Sequence, residues 1–324
     1  MCSVYPISPS FGRLKMKLIN PEIRIETTNI CNAHCIMCPR EKLEREKGTM
    51  SIGLFKKIVD EVKDYGVENV HLGGFGEPLL DPYMVERIRY VKQYGMYSLC
   101  TSNASLFNKK LSEQLMTAGL DEVRFSFYGL SKDVYEKVHV GLKFSESKKN
   151  IMNVIKLKKD LDLPNFKVCV FYLLLDENSH QLEQFKKEWE PLVDGIEIWR
   201  PHNMGGGRKY RDVNGDKESC NRPQRGPIQV LWDGRVVPCC MDYNGRMILG
   251  DLNKSSLKEI LHNERFQSLR DAHNSGDFKA FPYCGNCDQL NKRPDVMIYS
   301  NRHNLSSAEA VKLTNSFFFN LKGS

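Results

Sequence analysis

No stretch of this chain approaches the ~18 consecutive apolar residues of a membrane-spanning helix. Its first twenty residues, MCSVYPISPSFGRLKMKLIN, lack the apolar core and small-residue cleavage site of a secretory signal. A cytoplasmic protein, with no membrane partner, is expected. Charge of one sign is also missing. The 47 basic residues stand against 40 acidic ones, and they interleave on helix faces in FKKIVDEVKD and QFKKEWE. That pattern is solvated helix surface and argues against a nucleic-acid partner. Cysteine, by contrast, is plentiful. Eleven in 324 residues, with no sign of secretion, point to metal in a reducing compartment, not to a disulfide scaffold.

Three of them form Cys31-Asn32-Ala33-His34-Cys35-Ile36-Met37-Cys38, in the order C-x3-C-x2-C. Thiolates select zinc, copper(I) or iron-sulfur centres. A closed zinc site wants four protein ligands, and the triplet is one short. A [4Fe-4S] cluster with one open iron fits better, although a zinc knuckle or three unrelated buried thiols remain alternatives. The triplet resembles the signature of the radical S-adenosylmethionine (radical SAM) enzymes. That resemblance implies that the open iron holds SAM, and that the reduced cluster cleaves it to a 5'-deoxyadenosyl radical.

Along the chain, β-branched or aromatic runs alternate with amphipathic helical stretches, as in βα units around a parallel sheet. Strands are expected at 22–27, 69–72, 98–102, 122–127, 167–173 and 195–199. Ser51 caps one helix, with Gly66 as its stop; Asp81-Pro82 reads as N-cap and first residue of a second; Ser179 opens another. Six units are too few for a closed eight-stranded barrel, but they match the partial (β/α)6 TIM-like barrel that the resemblance implies. The expected division is an N-terminal extension over 1–20, the α/β barrel over 21–203, a smaller domain over 204–299 and a tail over 300–324.

The loops after barrel strands gather at one face, and the motifs fall there. The second strand runs into Gly73-Gly74-Phe75-Gly76-Glu77-Pro78, similar to the family's G-x-G-E-P element. The resemblance gives Gly74, Gly76 and Pro78 to the SAM site and has Glu77 secure the turn; an ordinary strand-to-helix turn is the plain alternative. It likewise places Asn103, after the third strand, and Ser126, ending the fourth, near SAM. Met37 stands where relatives carry an aromatic residue against the adenine, and a thioether can cover that ring. His139 occupies the place of an arginine that pairs with the SAM carboxylate, and is shorter and need not be charged.

Beyond the glycine-rich 203–208 lies a second cysteine set. Cys220, then Asp233-Gly234 with Cys239-Cys240, Leu249-Gly250-Asp251-Leu252 and Cys284-Gly285-Asn286-Cys287 resemble the auxiliary iron-sulfur domain called SPASM. No cysteine follows Cys287, so the shorter "twitch" form is implied, with one [4Fe-4S] cluster on Cys220, Cys239, Cys284 and Cys287. Cys240 is an alternative to Cys239, and a zinc ribbon is an alternative to the cluster.

The expected cofactors are thus SAM and two [4Fe-4S] clusters. Four thiolates would fill every iron of the second, leaving it to pass electrons. Arg200 and His202, after the sixth strand, are candidates for holding a polar substrate or taking its proton. Cys240 and Cys169 are spare thiols able to donate a hydrogen atom. Oxidation of a sugar, aminocyclitol or other small polyol is expected, with flavodoxin or ferredoxin as electron donor. Epimerisation is the alternative, as is peptide modification, although Pro39-Arg40 follow the triplet where peptide-modifying relatives carry a tyrosine.

Overall fold

The computed structural model describes residues 20–302 apart from 214, 216 and 292–295, so Cys2 and Phe317-Phe318-Phe319 lie outside the described residues. Six strands run parallel and in chain order: β1 Glu22–Ile25, β2 Asn69–Leu72, β3 Tyr97–Ser102, β4 Glu122–Ser126, β5 Lys167–Leu173 and β6 Gly195–Trp199. The intervening helices are α1 Ile52–Val62, α2 Met84–Lys92, α3 Lys109–Thr117, α4 Lys132–Val138, α5 Phe144–Asp160 and α6 Leu182–Trp189. This is an α/β fold, a partial (β/α)6 TIM-like barrel. The strands fall where the apolar runs place them, because each one buries its β-branched residues under the helices.

Helix starts follow the capping chemistry in part. Ser51 accepts the Leu54 amide at 3.2 Å, and Gly66, at φ 76°, closes the 3-10 turn that extends α1. Asp81-Pro82 does not begin α2. The helix starts at Met84, because Asp81 accepts the Tyr83 amide at 2.9 Å and commits its carboxylate to Arg87 at 2.6 Å. Ser179 opens a 3-10 turn, and α6 begins only at Leu182.

The remaining chain holds α7 Arg222–Arg225, β7 Ile228–Val230, β8 Arg235–Val237, β9 Gly250–Asp251, α8 Leu257–His262, α9 Glu264–Ser275, α10 Pro282–Gly285 and β10 Met297–Ser300. It does not stand apart from the barrel. β7 pairs parallel with β1, and β10 pairs antiparallel with β6, giving one sheet of ten strands. The segment after residue 203 therefore flanks both edges of the barrel, and residue 300, the expected start of the tail, lies inside β10. No described helix is long and apolar enough to cross a membrane.

Alternation along the strands sets two faces. Ile23, Ile25, Val70, Leu72, Val123, Phe125, Ile196 and Ile198 pack in the apolar core beneath the helices. Glu22, Arg24, His71, Glu122, Arg124 and Glu197 alternate with them and fill the lumen with charge. The pairs are close: Arg24 to Glu22 at 2.5 Å, Arg124 to Glu122 at 2.5 Å, and Arg302 to Glu122 and Glu197 at 3.0 and 2.9 Å.

Arg87 and Asp81 are completely buried, whereas Lys56 and Glu86 pair in solvent. Removing one buried partner strands the other's charge, at a cost of about 3–5 kcal/mol, against under ~1 kcal/mol for an exposed pair. Arg87→Ala should therefore lower the urea midpoint strongly and Lys56→Ala barely. Equal midpoints for the two variants would refute that ranking.

Candidate active site

The cysteine loop follows β1 and is held by the end of α4. His34 and Ile36 donate their amides to the carbonyls of Val140 and Val138 at 2.8 and 3.1 Å. Cys31, Cys35 and Cys38 face one cleft of about 310 Å³. Burial pushes the Cys35 thiol up to about 12 and the Cys38 thiol up to about 11, and the neighbouring thiols add to both shifts. A positively charged metal core relieves that penalty, because it binds thiolates.

The Gly-Gly-Phe-Gly-Glu-Pro loop forms the facing wall. A Cβ on Gly76 would meet the carbonyl oxygens of Thr28 and Ile30 at 2.5 Å, and one on Gly74 would meet Glu26 at 2.6 Å. Both glycines are needed because the loop presses on the chain that leads to the cysteines. Glu77 lies buried in this wall. Its carboxylate accepts the Ser102 hydroxyl at 2.7 Å and the amides of Asn103 and Leu79 at 2.9 and 3.2 Å, joining the second and third loops. Burial raises its pKa to about 7 despite these donors. Pro78 is buried and opens the 3-10 turn that follows, away from the cleft wall. Asn103 lines the cleft, though its amide nitrogen already donates to Asn32 at 3.0 Å. Met37 and Ser126 line it as well.

His139 also faces the cleft, with a specific task. The Tyr128 backbone amide, which can only donate, points at Nε2 at 3.3 Å. Nε2 is therefore the acceptor and Nδ1 carries the proton. Nδ1 lies 3.3 Å from the Cys35 sulfur and donates to it. Burial holds the ring neutral, with its pKa lowered to about 3. Both nitrogens are thus spent within the protein. His139 does not replace the expected arginine as a donor to a carboxylate.

The second thiol set closes the far side. Cys239 stands among Cys220, Cys284 and Cys287 closely enough to act on the charge of each, and burial pushes all four up. The Cys240 sulfur lies 4.0 Å from Arg24. Burial alone would raise its pKa, but Arg222 and Arg24 outweigh burial and lower it. Arg222 sits among the thiols and offsets the negative charge of a four-thiolate cluster. Among the described residues no three His, Cys, Asp or Glu side chains converge as tightly as a single ion demands. Three thiols at the cleft would leave one iron of a [4Fe-4S] cluster open, and four in the second set would leave none.

The candidate catalytic residues separate. His202 lines the cleft, and its Nδ1 lies 3.3 Å from the buried Asp288 carboxylate. Arg200 is exposed and lies outside the cleft walls. Cys240 lines a neighbouring cavity with Cys239 and Gly74. Cys169 is buried low in the lumen, packed behind Gly195 and outside the cleft. Sequence reasoning missed Glu26 and Arg45, a buried pair at 2.8 and 2.9 Å behind Gly74. The alternation in Glu22-Ile23-Arg24-Ile25-Glu26 was the available signal.

A partial barrel that opens on three converging thiols, with four more beyond its rim, defines an iron-sulfur enzyme. The chain belongs to the radical SAM superfamily, which matches residues 25–188, and residues 220–288 match the SPASM iron-sulfur cluster-binding domain. Its cofactors are SAM with a [4Fe-4S] cluster in the barrel and an auxiliary iron-sulfur cluster beyond it. A tungsten-containing aldehyde ferredoxin oxidoreductase cofactor-modifying protein of Pyrococcus furiosus is 27% identical over 294 residues, covering 76% of this chain and 82% of that one. BtrN, solved in complex with AdoMet and 2-DOIA, superposes with a TM-score of 0.58 at 19% identity, covering 87% of this chain and 100% of BtrN. SuiB of Streptococcus suis, solved bound to precursor peptide SuiA, superposes with a TM-score of 0.62 at 14% identity, covering 86% of this chain and 71% of SuiB.

Hydrogen bonds to cluster sulfurs stabilise the more negative, reduced cluster and so raise its potential. His139→Phe keeps a ring between Tyr128 and Tyr135 but removes the donor to Cys35. The midpoint potential of the SAM-binding cluster, followed by EPR during redox titration, should become more negative. An unshifted potential would show that the bond is absent from the loaded enzyme.

Proposed function

We propose that this protein is an oxidative radical SAM enzyme that removes hydrogen from a small polar substrate, a sugar, aminocyclitol or other polyol, converting an alcohol to a ketone. Cys31, Cys35 and Cys38 hold the first cluster, and Cys220, Cys239, Cys284 and Cys287 hold the second. The observation that carries the reading is shared walls: Gly74, Phe75 and Met204 line both the SAM cleft and the cavity that reaches Cys239. When bound, the cofactors supply a hydrogen-abstracting radical on one side and an electron acceptor on the other. The chain supplies the proton acceptor. His202, whose ring is contacted by the Asp288 carboxylate and by the Gln289 side chain, is the proposed acceptor of that proton. Flavodoxin or ferredoxin is the proposed reductant. The barrel over 21–203 and the auxiliary domain over 204–299 are the proposed working units.

Two observations support other routes: SuiB was solved bound to a precursor peptide, and Cys240 offers a hydrogen atom for epimerisation. Iron content and SAM cleavage test the core of the reading. Anaerobically reconstituted protein should bind about eight irons and, with dithionite, form 5'-deoxyadenosine. Cys31, Cys35 and Cys38 replaced together by Ala should halve the iron and abolish cleavage; continued cleavage would end the proposal. Replacing Cys284 and Cys287 by Ala should spare cleavage and stop substrate oxidation.

The fate of hydrogen distinguishes the chemistry. A substrate carrying deuterium at the reacting carbon should pass it to 5'-deoxyadenosine and emerge two electrons more oxidised. A product of unchanged mass in H2O, gaining one deuterium in D2O and requiring Cys240 or Cys169, would establish epimerisation instead.

A further inference from the structure

Below the SAM cleft the lumen contains a second cavity of about 150 Å³, and the two share Thr101 and His202 as walls. Its charged lining is unbalanced. Three guanidinium groups, of Arg24, Arg124 and Arg222, face it against one carboxylate, of Glu197. That carboxylate is already engaged, because it accepts from Arg302 at 2.9 Å and from the Trp199 indole at 3.0 Å. Glu22 and Glu122 lie outside the lining, where they hold Arg24 and Arg124 at 2.5 Å each.

Arg124 provides a second, independent sign. Its side chain is only 5% exposed, and its Nε is bound to Glu122 at 2.5 Å. Its Nη2, however, has no hydrogen-bond partner among the described residues. An unpaired buried guanidinium N–H is costly, and it belongs to a side chain that lines this chamber. The positive field is felt inside. His71, on the same wall, has its pKa lowered well below the usual value, first by burial and then by Arg24 and Arg124.

Size and position narrow the occupant. A cavity of about 150 Å³ holds one six-membered ring. A molecule seated there lies against the SAM cleft through Thr101 and His202, and near the second domain through Arg24, which approaches Cys240 at 4.0 Å.

We propose that this chamber seats the substrate by an acid group, a carboxylate or a phosphate, on Arg124 and Arg24. The proposal rests on the radical SAM reading and narrows its substrate class. A polyol bearing an acid is favoured, and an aminocyclitol is not, because its ammonium group would face three guanidinium groups.

Four probes with one ring skeleton separate charge from shape: glucuronate, glucose 6-phosphate, glucose and glucosamine. They are titrated calorimetrically into reconstituted, SAM-loaded enzyme. One or both acids should bind at least tenfold more tightly than glucose, with glucosamine weakest, and the better acid identifies carboxylate or phosphate as the anchor. Glucosamine equal to or tighter than the acids, or no difference among the four, would overturn the proposal. Arg124→Leu should remove the preference and Arg124→Lys should keep it, with iron content and melting temperature confirming folded protein. A folded Arg124→Leu variant that still prefers acids would also overturn it. The wild-type ranking decides the matter if that variant does not fold. SAM cleavage measured on the same sample keeps the two proposals apart, since cleavage without an acid preference sinks only the chamber assignment.

Discussion

One buried carboxylate joins the parts of this molecule that must move together. Glu26, just past β1, accepts both Nη groups of Arg45 at 2.8 and 2.9 Å, the Phe75 amide at 3.1 Å and the Trp232 amide at 3.2 Å. Those donors belong to the cysteine loop's continuation, the glycine-rich SAM loop and the second domain. Arg45 also donates to the Tyr243 carbonyl at 2.7 Å, and Tyr243 stacks on Phe75 at 5.1 Å. A buried ion pair of this kind adds little net stability, because desolvation consumes its Coulombic gain. Its value is geometric. Four donors on two oxygens fix the spacing between the cleft and the second thiol set.

Glu77 does the same for the cleft itself, tying the second loop to the third. Close approach explains why both glycines of this loop are needed. Gly74 clears Glu26 and Gly76 clears the Thr28–Ile30 backbone, so the loop reaches its place only without side chains there. The lumen extends the same economy downward. Where other barrels fill this space with branched apolar residues, this one packs ion pairs and leaves a charged chamber beside the SAM cleft.

Much of this was legible in the residues. The six strands were visible because β-branched residues recur at period two against helices at period 3.6. The C-x3-C-x2-C triplet was visible because its spacing is a local property of the chain. The cap at Asp81 was misread because its carboxylate is drawn to Arg87, a partner six residues on and fully buried. His139 was legible as a cleft residue from its place in the motif, but its bonds were not: the direction of one backbone amide fixes its tautomer and turns its proton toward Cys35.

The sequence alone determined the family and the barrel, because each depends on periodicity or on short motifs that survive without folding. Only the tertiary structure shows that Cys239 and Cys240, adjacent in sequence, differ in what surrounds them. The same holds for β7 and β10, which join the second domain to both edges of the barrel through pairings between distant residues. It holds for the charged chamber too. Arg24, Arg124 and Arg222 come together only when the sheet curves, and the sign of the field they make depends on which carboxylates the fold places behind them and which it leaves in the wall.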